Sequence, residues 1–311
     1  MELILHQYDI SSYSEKVRLA LGLKGLAWRA VEIPAYAPKP DYTPLTAGYR
    51  RTPALQIGAD VYCDTALILD VLEARAPAPT LYPGAVPALA RAQSLVYAAW
   101  AEQVLFRPLA LYITGRHAER FPLAFHRDRA RLHGKPEPDV ARVAASASRY
   151  ATEAEGQLAV LEHLLGDGRP FLLGAAVSLA DLAAYEAPWF LETIGGAAAF
   201  SAPAPATRAW MQRVAALGHG RRTAMTAEAA LDIARSASPV PLAGAVDPAS
   251  GLEAGDRVRV RPFGEDAPAQ GVLLAVDGER IVIAHDDARV GRVHVHFPRL
   301  GYRLSQARMP V

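Results

Sequence analysis

Residues 50–65 read RRTPALQIGADVYCDT, and the order of residue types here decides how the first quarter of the chain folds. Two short apolar-rich runs, 54–57 and 61–63, flank Gly58-Ala59-Asp60, the composition of a tight turn between antiparallel strands. A Thr52-Pro53 pair enters the first strand and an Asp64-Thr65 pair leaves the second. A proline at a strand mouth forgoes a ladder hydrogen bond, so its presence there asks for a reason. The acid and hydroxyl at the exit precede TALILDVLEARA and read as a helix start, because side-chain oxygens cap the free N–H groups of a first turn. Pro77 ends that helix.

Working outward, residues 3–8 (LILHQY) predict a strand. Ser14 caps a helix in which Val17, Ala20 and Leu21 share a face and Gly25 is the stop. Residues 28–33 predict a second strand, and a proline-rich loop then runs to about Tyr49. The order βαβ and then ββα is that of a thioredoxin-like fold. Beyond PAPTLYPGAVP the period changes to that of long helices: Leu89, Val96, Trp100 and Val104, then Val143, Ala147, Tyr150, Ala154, Leu158, Leu161 and Leu165. Ser178 and Asp181 have the spacing of a capping box, with Val177 and Leu182 as its hydrophobic staple. Gly195-Gly196 ends that helix, and two more fit 206–217 and 227–236.

SPVPLAGAVDPASG, at 238–251, has the composition of a linker. After it the period drops to two, at Val258 and Val260, Ile281 and Ile283, and Val293, Val295 and Phe297, with Asp277-Gly278 as a hairpin turn. The expected architecture is therefore α/β, then all-α, then small all-β. It comprises a thioredoxin-like domain over 1–79, an all-helical domain over 86–237 and an SH3-like β-barrel over 252–311. A β-unit of about 60 residues is marginal alone, so it is expected to rest on the helical domain or on a second subunit.

Composition narrows the function. A net charge of +1 gives no electrostatic reason to expect nucleic acid or an anionic membrane as partner. A single cysteine, Cys63, excludes an internal disulfide framework and a multi-cysteine metal site. MELILHQYD lacks the pattern of a signal peptide, and the expectation is a cytoplasmic protein.

The N-terminal residues resemble the soluble glutathione S-transferases, of the bacterial serine type. SSYSEKVRLALGLKGL, from Ser11, is similar to the SPFSxKVRxxLxxKGL pattern of many bacterial members, with Ser12 where proline is common. Thr52-Pro53 and Cys63-Asp64-Thr65 match two further landmarks, and the capping box matches the family's helical half. The resemblance covers residues 1–236 and not the β-rich tail.

It implies a role for each landmark. Pro53 would be the cis-proline of the thioredoxin-like fold, and the Thr52 backbone would pair with the cysteinyl backbone of glutathione. Asp64 and Thr65 would hold the γ-glutamyl end, with Asp-Thr a mild departure from the usual acid-serine pair. Ser11 would donate a hydrogen bond to the glutathione sulfur. That matters because the thiolate is the nucleophile and a free thiol is mostly protonated at neutral pH. Tyr8 and Tyr13 are alternative donors. Arg50 and Arg51 could meet the glycyl carboxylate. Tyr97, Trp100, Phe106 and Tyr112 are the aromatic candidates for the pocket of an apolar, small-molecule electrophile. Glutathione would be the co-substrate, with no metal, in a homodimer. The other possibility is a non-catalytic glutathione-binding or scaffold protein that uses the β-domain as its interaction module.

Other features read as structural. Cys63 is expected to be buried and inert, and AFHRDRARLHGKPEPD to be a polar helix–loop segment. His294 and His296 share one face of a strand, expected to be solvated or to face a partner.

Overall fold

The computed structural model describes residues 1–196, 199–200, 204–242 and 245–307. The last four residues of the predicted β-unit fall outside the described residues. The first six elements follow the predicted order: β1 (Ile4–Gln7), α1 (Ser12–Leu23), β2 (Ala27–Glu32), β3 (Ala54–Ile57), β4 (Asp60–Cys63) and α2 (Thr65–Arg75). β1 lies between parallel β2 and antiparallel β3, and β4 flanks β3. Both faces of this sheet are covered, which explains a first strand apolar on consecutive residues. Leu3 and Leu5 enter a core shared with the helical half, while Ile4 points into a second core beneath the sheet.

The helical half starts with α3 (Pro87–Trp100) and α4 (Phe106–Arg116), one rod broken by a π-helical turn at Ala101–Leu105. It continues with α5 (Leu123–Leu132), α6 (Val140–Leu164), α7 (Leu179–Gly195) and α8 (Pro205–Ala215). The predicted capping box is present, and Asp181 does more than cap. Its Oδ2 accepts from the Ser178 backbone N–H (2.9 Å) and hydroxyl (2.8 Å), and its Oδ1 accepts from Leu172 N–H (2.8 Å) and Trp210 Nε1 (2.9 Å). The stripe Leu89, Val96 and Val104 is not core. These side chains are exposed on the outer face of the rod, near exposed Val86 and Leu95.

A short strand, β5 (Arg221–Ala224), pairs in parallel with β2 in a segment without predicted strand character. All four of its residues are exposed, so it has no apolar alternation to read. α9 (Ala227–Ser236) then packs Ala230, Leu231 and Ala234 into the second core.

The tail forms β6 (Arg257–Pro262), β7 (Ala269–Val276), β8 (Arg280–Asp287), β9 (Gly291–Pro298) and β10 (Tyr302–Gln306). It is a four-strand meander whose fifth strand returns to pair with the first, and Asp277 accepts two backbone N–H groups in the β7–β8 turn. Its place corrects the sequence expectation. β9 pairs in parallel with β4, so the tail extends the thioredoxin-like sheet to ten strands in the order β10-β6-β7-β8-β9-β4-β3-β1-β2-β5. The tail meets the helical segment at two places: α9 packs on it in the second core, and in the β6–β7 connection Asp266 N–H donates to Leu132 O (3.3 Å). The physical reason is the open edge of β4, a row of unpaired backbone groups that another strand satisfies. The seam also corrects the histidines. His296 is buried, stacks on Tyr62 and places Nε2 2.8 Å from Asp60 Oδ1, and His294 is 4.0 Å from the same oxygen.

Candidate active site

Strand register brings the predicted site residues to one end of the sheet. His6, Ala54 and Cys63 form a row across β1, β3 and β4. Just beyond that row lie the loop from β1 to Ser11, the Thr52-Pro53 pair, and Asp64-Thr65. Two helices, α1 and α2, begin at this same end. Their free N–H groups and dipoles make it favourable to negative charge.

Ser11, not Ser14, caps α1. Its Oγ accepts from Ser14 N–H at 3.1 Å, and the residue is 4% exposed. Accepting that bond leaves the Ser11 hydroxyl proton free to donate. The Ser14 hydroxyl is buried without a hydrogen-bond partner. Tyr13 points into the domain junction, against Phe106 (5.4 Å between ring centres) and 5.4 Å from Lys16 Nζ, and burial pushes its phenol up. Behind it, Lys16 is buried between Glu102 (2.5 Å) and Glu186 (2.8 Å). Burial pushes the Glu186 carboxyl up to about 8 against the pull of Lys16, and the two glutamates hold Lys16 in its charged form. The π-helical turn carries Glu102 into this cluster.

The Thr52-Pro53 bond is cis, as expected. Its surroundings hold a residue that sequence reasoning missed. Lys39 is buried and donates to two neutral oxygens, Thr52 Oγ1 (2.8 Å) and Arg50 O (3.1 Å). Burial, with Arg129 and Arg50 nearby, lowers its ammonium to about 7. The arginines predicted for an anion are both engaged: Arg50 with Asp128, and Arg51 through Nε with Glu265 Oε1 at 2.7 Å. Tyr8 lies on this basic side, its ring 5.9 Å from Lys39 Nζ and its hydroxyl 3.4 Å from Arg129 Nη2.

Asp64 caps α2, its Oδ1 accepting from Ala66 N–H at 3.0 Å. It has φ 77° and ψ 138°, a region costing a non-glycine residue about 1–3 kcal/mol, held only where the surroundings demand it. Thr65 is buried in the first turn beside it. The other carboxylate oxygen, Oδ2, accepts from Tyr302 of β10 at 2.8 Å. Cys63 behaves as expected, fully buried with its thiol pushed well up by burial.

Next to Ser11 in the chain, Ile10 lines an apolar cleft of about 270 Å³ together with Tyr36, Phe121, Phe125 and Ile194. Tyr97, Trp100, Phe106 and Tyr112 instead pack, half-buried, on the main core. The charges of AFHRDRARLHGKPEPD hid Phe125, and Phe121 stands just before that stretch. Their spacing of four, which lets Phe121 stack on Phe125 at 4.9 Å, was the available signal.

The sheet end combines a buried hydroxyl at one helix start, a strained acid at another and a buried amine beside Thr52. Such an end can hold an anionic, amine-bearing thiol and stabilise its ionised sulfur. Profiles described as glutathione S-transferase, N-terminal domain and C-terminal domain match residues 5–80 and 114–217, more than half of the chain. The chain belongs to the glutathione S-transferase family. That family uses glutathione as co-substrate. Among solved structures, a GST-like protein from Pseudomonas syringae is 36% identical, with TM-score 0.78 over 98% of this chain and 99% of that one. Poplar glutathione transferase F1 is 15% identical over 69% of this chain and 92% of its own, with TM-score 0.53. The beta-etherase LigF from Sphingobium sp. strain SYK-6 is 20% identical over 70% and 96%, also with TM-score 0.53. No curated protein matches the chain. The Pseudomonas protein aligns over the β-tail as well, whereas the other two share the fold of the remainder.

Proposed function

We propose that this chain is an active, cytoplasmic glutathione S-transferase that presents the glutathione thiolate to an apolar electrophile. The observation that carries this is Ser11, placed at the start of α1 with its hydroxyl proton free, at the sheet end shared with Thr52-Pro53 and Asp64-Thr65. In this reading Asp64 and Thr65 receive the γ-glutamyl end, the Thr52 backbone receives the cysteinyl unit, and Ser11 donates to the sulfur. A hydrogen bond to the ionised sulfur lowers its pKa, and the first turn of α1 adds to the effect. The cleft of Ile10, Tyr36, Phe121, Phe125 and Ile194 takes the electrophile, an aromatic or otherwise flat apolar molecule. The exposed apolar face of the α3–α4 rod is where a second copy would dock to form a homodimer.

Retention on immobilised glutathione with release by free glutathione, followed by turnover of an aryl halide, tests the function. Ser11→Ala is expected to lower kcat by about 10- to 100-fold, the effect of a lost hydrogen bond to a charged group, with a smaller change in glutathione affinity. Full turnover in that variant would move the donor role to Tyr8 or Tyr13.

Lys39 gives the reaction a pH signature. An ammonium held near 7 in the free enzyme is charged below that pH and neutral above it. The glycyl carboxylate of glutathione would bind the charged form, so the glutathione KM should rise as pH climbs from about 6 to about 8.5. Lys39→Arg, charged throughout, should flatten that rise. A KM profile in the variant as steep as that of the parent chain would remove Lys39 from the site.

A further inference from the structure

The β-tail reaches the proposed glutathione site through two side chains. Tyr302, 2% exposed at the start of β10, has its hydroxyl 2.8 Å from Asp64 Oδ2 and 2.8 Å from the Tyr49 hydroxyl. A carboxylate only accepts, so Tyr302 donates to Asp64 and in turn accepts from Tyr49. Burial, reinforced by Asp64, raises both phenols well above their ordinary value, so the chain Tyr49–Tyr302–Asp64 keeps its protons. Glu265, 4% exposed in the β6–β7 connection, holds Arg51 Nε at 2.7 Å, so that Arg51 Nη1 makes only a loose ion pair with Asp64 Oδ2, at 3.9 Å. That connection is itself fixed, because Arg261 donates to Glu265 O (2.7 Å) and Asp266 N–H to Leu132 O.

Counting lone pairs shows what this arrangement leaves open. Asp64 gives one to Ala66 N–H and one to Tyr302, so each oxygen keeps one more, and the side chain is 21% exposed. An ammonium can take those positions. Without the Tyr302 hydroxyl, Asp64 loses the bond that orients it and can close on Arg51. Without the Glu265 charge, Arg51 is released towards Asp64. Either change would tighten the loose Arg51 pair until it occupies the carboxylate.

We propose that the β-tail forms part of the site: Tyr302 and Glu265 are positioning residues that keep Asp64 open for the α-amino group of a γ-glutamyl thiol. This rests on the glutathione reading above and assigns the tail a share in choosing the thiol. Both side chains lie beyond residue 217, outside the residues matched by the two transferase profiles.

The test uses the full-length chain, an aryl halide, and two thiols: glutathione, and cysteinylglycine, which lacks the γ-glutamyl unit. Tyr302→Phe removes one hydroxyl and keeps the ring. It is expected to raise the glutathione KM roughly tenfold, with kcat within about twofold and kcat/KM for cysteinylglycine unaltered. Glu265→Gln, which leaves the aromatic packing untouched, should move the same quantity in the same direction and serves if the tyrosine variant does not fold. An unchanged glutathione KM in folded variants overturns the proposal, as does an equal loss with both thiols, which would mark a purely structural role. If the parent chain neither binds immobilised glutathione nor turns it over, the glutathione reading fails first, and the proposal with it.

Discussion

Replacing Asp181 with alanine is expected to lower the stability of the chain by about 4 kcal/mol, a large share of the 5–15 kcal/mol that holds a typical domain together. A capping box alone costs about 1 kcal/mol when lost. Asp181 has no solvent exposure and accepts four hydrogen bonds, from Leu172, twice from Ser178, and from the fully buried Trp210 indole. Alanine leaves those donors without an acceptor, and each stranded buried donor costs about 1–3 kcal/mol, though not additively. The network ties the start of α7 to the segment before it and to α8, so a melting temperature lower by roughly 10 °C is expected. Asp181→Asn keeps one acceptor oxygen but turns an amide NH₂ towards the other donors, and should recover only part of the loss. Glutathione affinity measured well below the melting point should be preserved, since the network lies in the helical half. A melting temperature within about 2 °C of the parent would show that other contacts hold α7.

Why the capping box was legible and its extra partners were not is the difference between local and distant chemistry. Ser178 and Asp181 are three residues apart, and their spacing alone implies contact. Trp210 is 29 residues away and joins the carboxylate only through the packing of α7 on α8. The same division runs through the fold. The order of β1 to α2 was legible because each strand and helix has its own apolar period and turn residues. The strands of the tail were legible by alternation, but the pairing of β9 with β4 was not. Edge pairing uses backbone groups that every sequence carries, so it leaves no mark on side chains. β5 is invisible for the same reason, being held by parallel backbone bonds to β2 with no buried side chain of its own.

In the candidate site, Ser11, Thr52-Pro53 and Asp64-Thr65 stand at element junctions, where capping chemistry and proline make residues readable. Lys39 lay in a proline-rich loop, and nothing local indicated that its amine turns inward to Thr52. Tyr302 is 238 residues from the carboxylate it touches. The exposed stripe on α3 and the π-helical turn shows a different limit. Helical spacing marks an apolar face but not what covers it, and here the face points outward.

Removing the tail after Ser238 is expected to cost the chain its folded N-terminal half, not merely an appended unit. Besides the α9 residues, the second core draws on two parts of the chain. Ile4, Val31, Tyr42, Leu45, Tyr49, Val61 and Cys63 come from the thioredoxin-like part, and Val258, Leu273, Ile281, Ile283, Val293, Val295 and Phe297 come from the tail. Burying one such aliphatic or aromatic side chain contributes about 1.5–3 kcal/mol, so uncovering several of them exceeds the whole stability of a domain. The cut also bares the β4 edge and leaves Asp60, buried beside His296, without that partner. An uncovered hydrophobic strand edge is a template for pairing between chains, so the truncated protein should be recovered mainly as aggregate. The helical half keeps its own side of the first core, with Leu161, Leu182 and Trp210, and part of its circular dichroism signal should survive. The outcome that would sink this is a soluble truncated chain that melts in one cooperative transition near the parent's temperature and binds glutathione as tightly. In that case β4 tolerates an open edge, and the tail is neither a structural wall of the sheet nor a part of the thiol site.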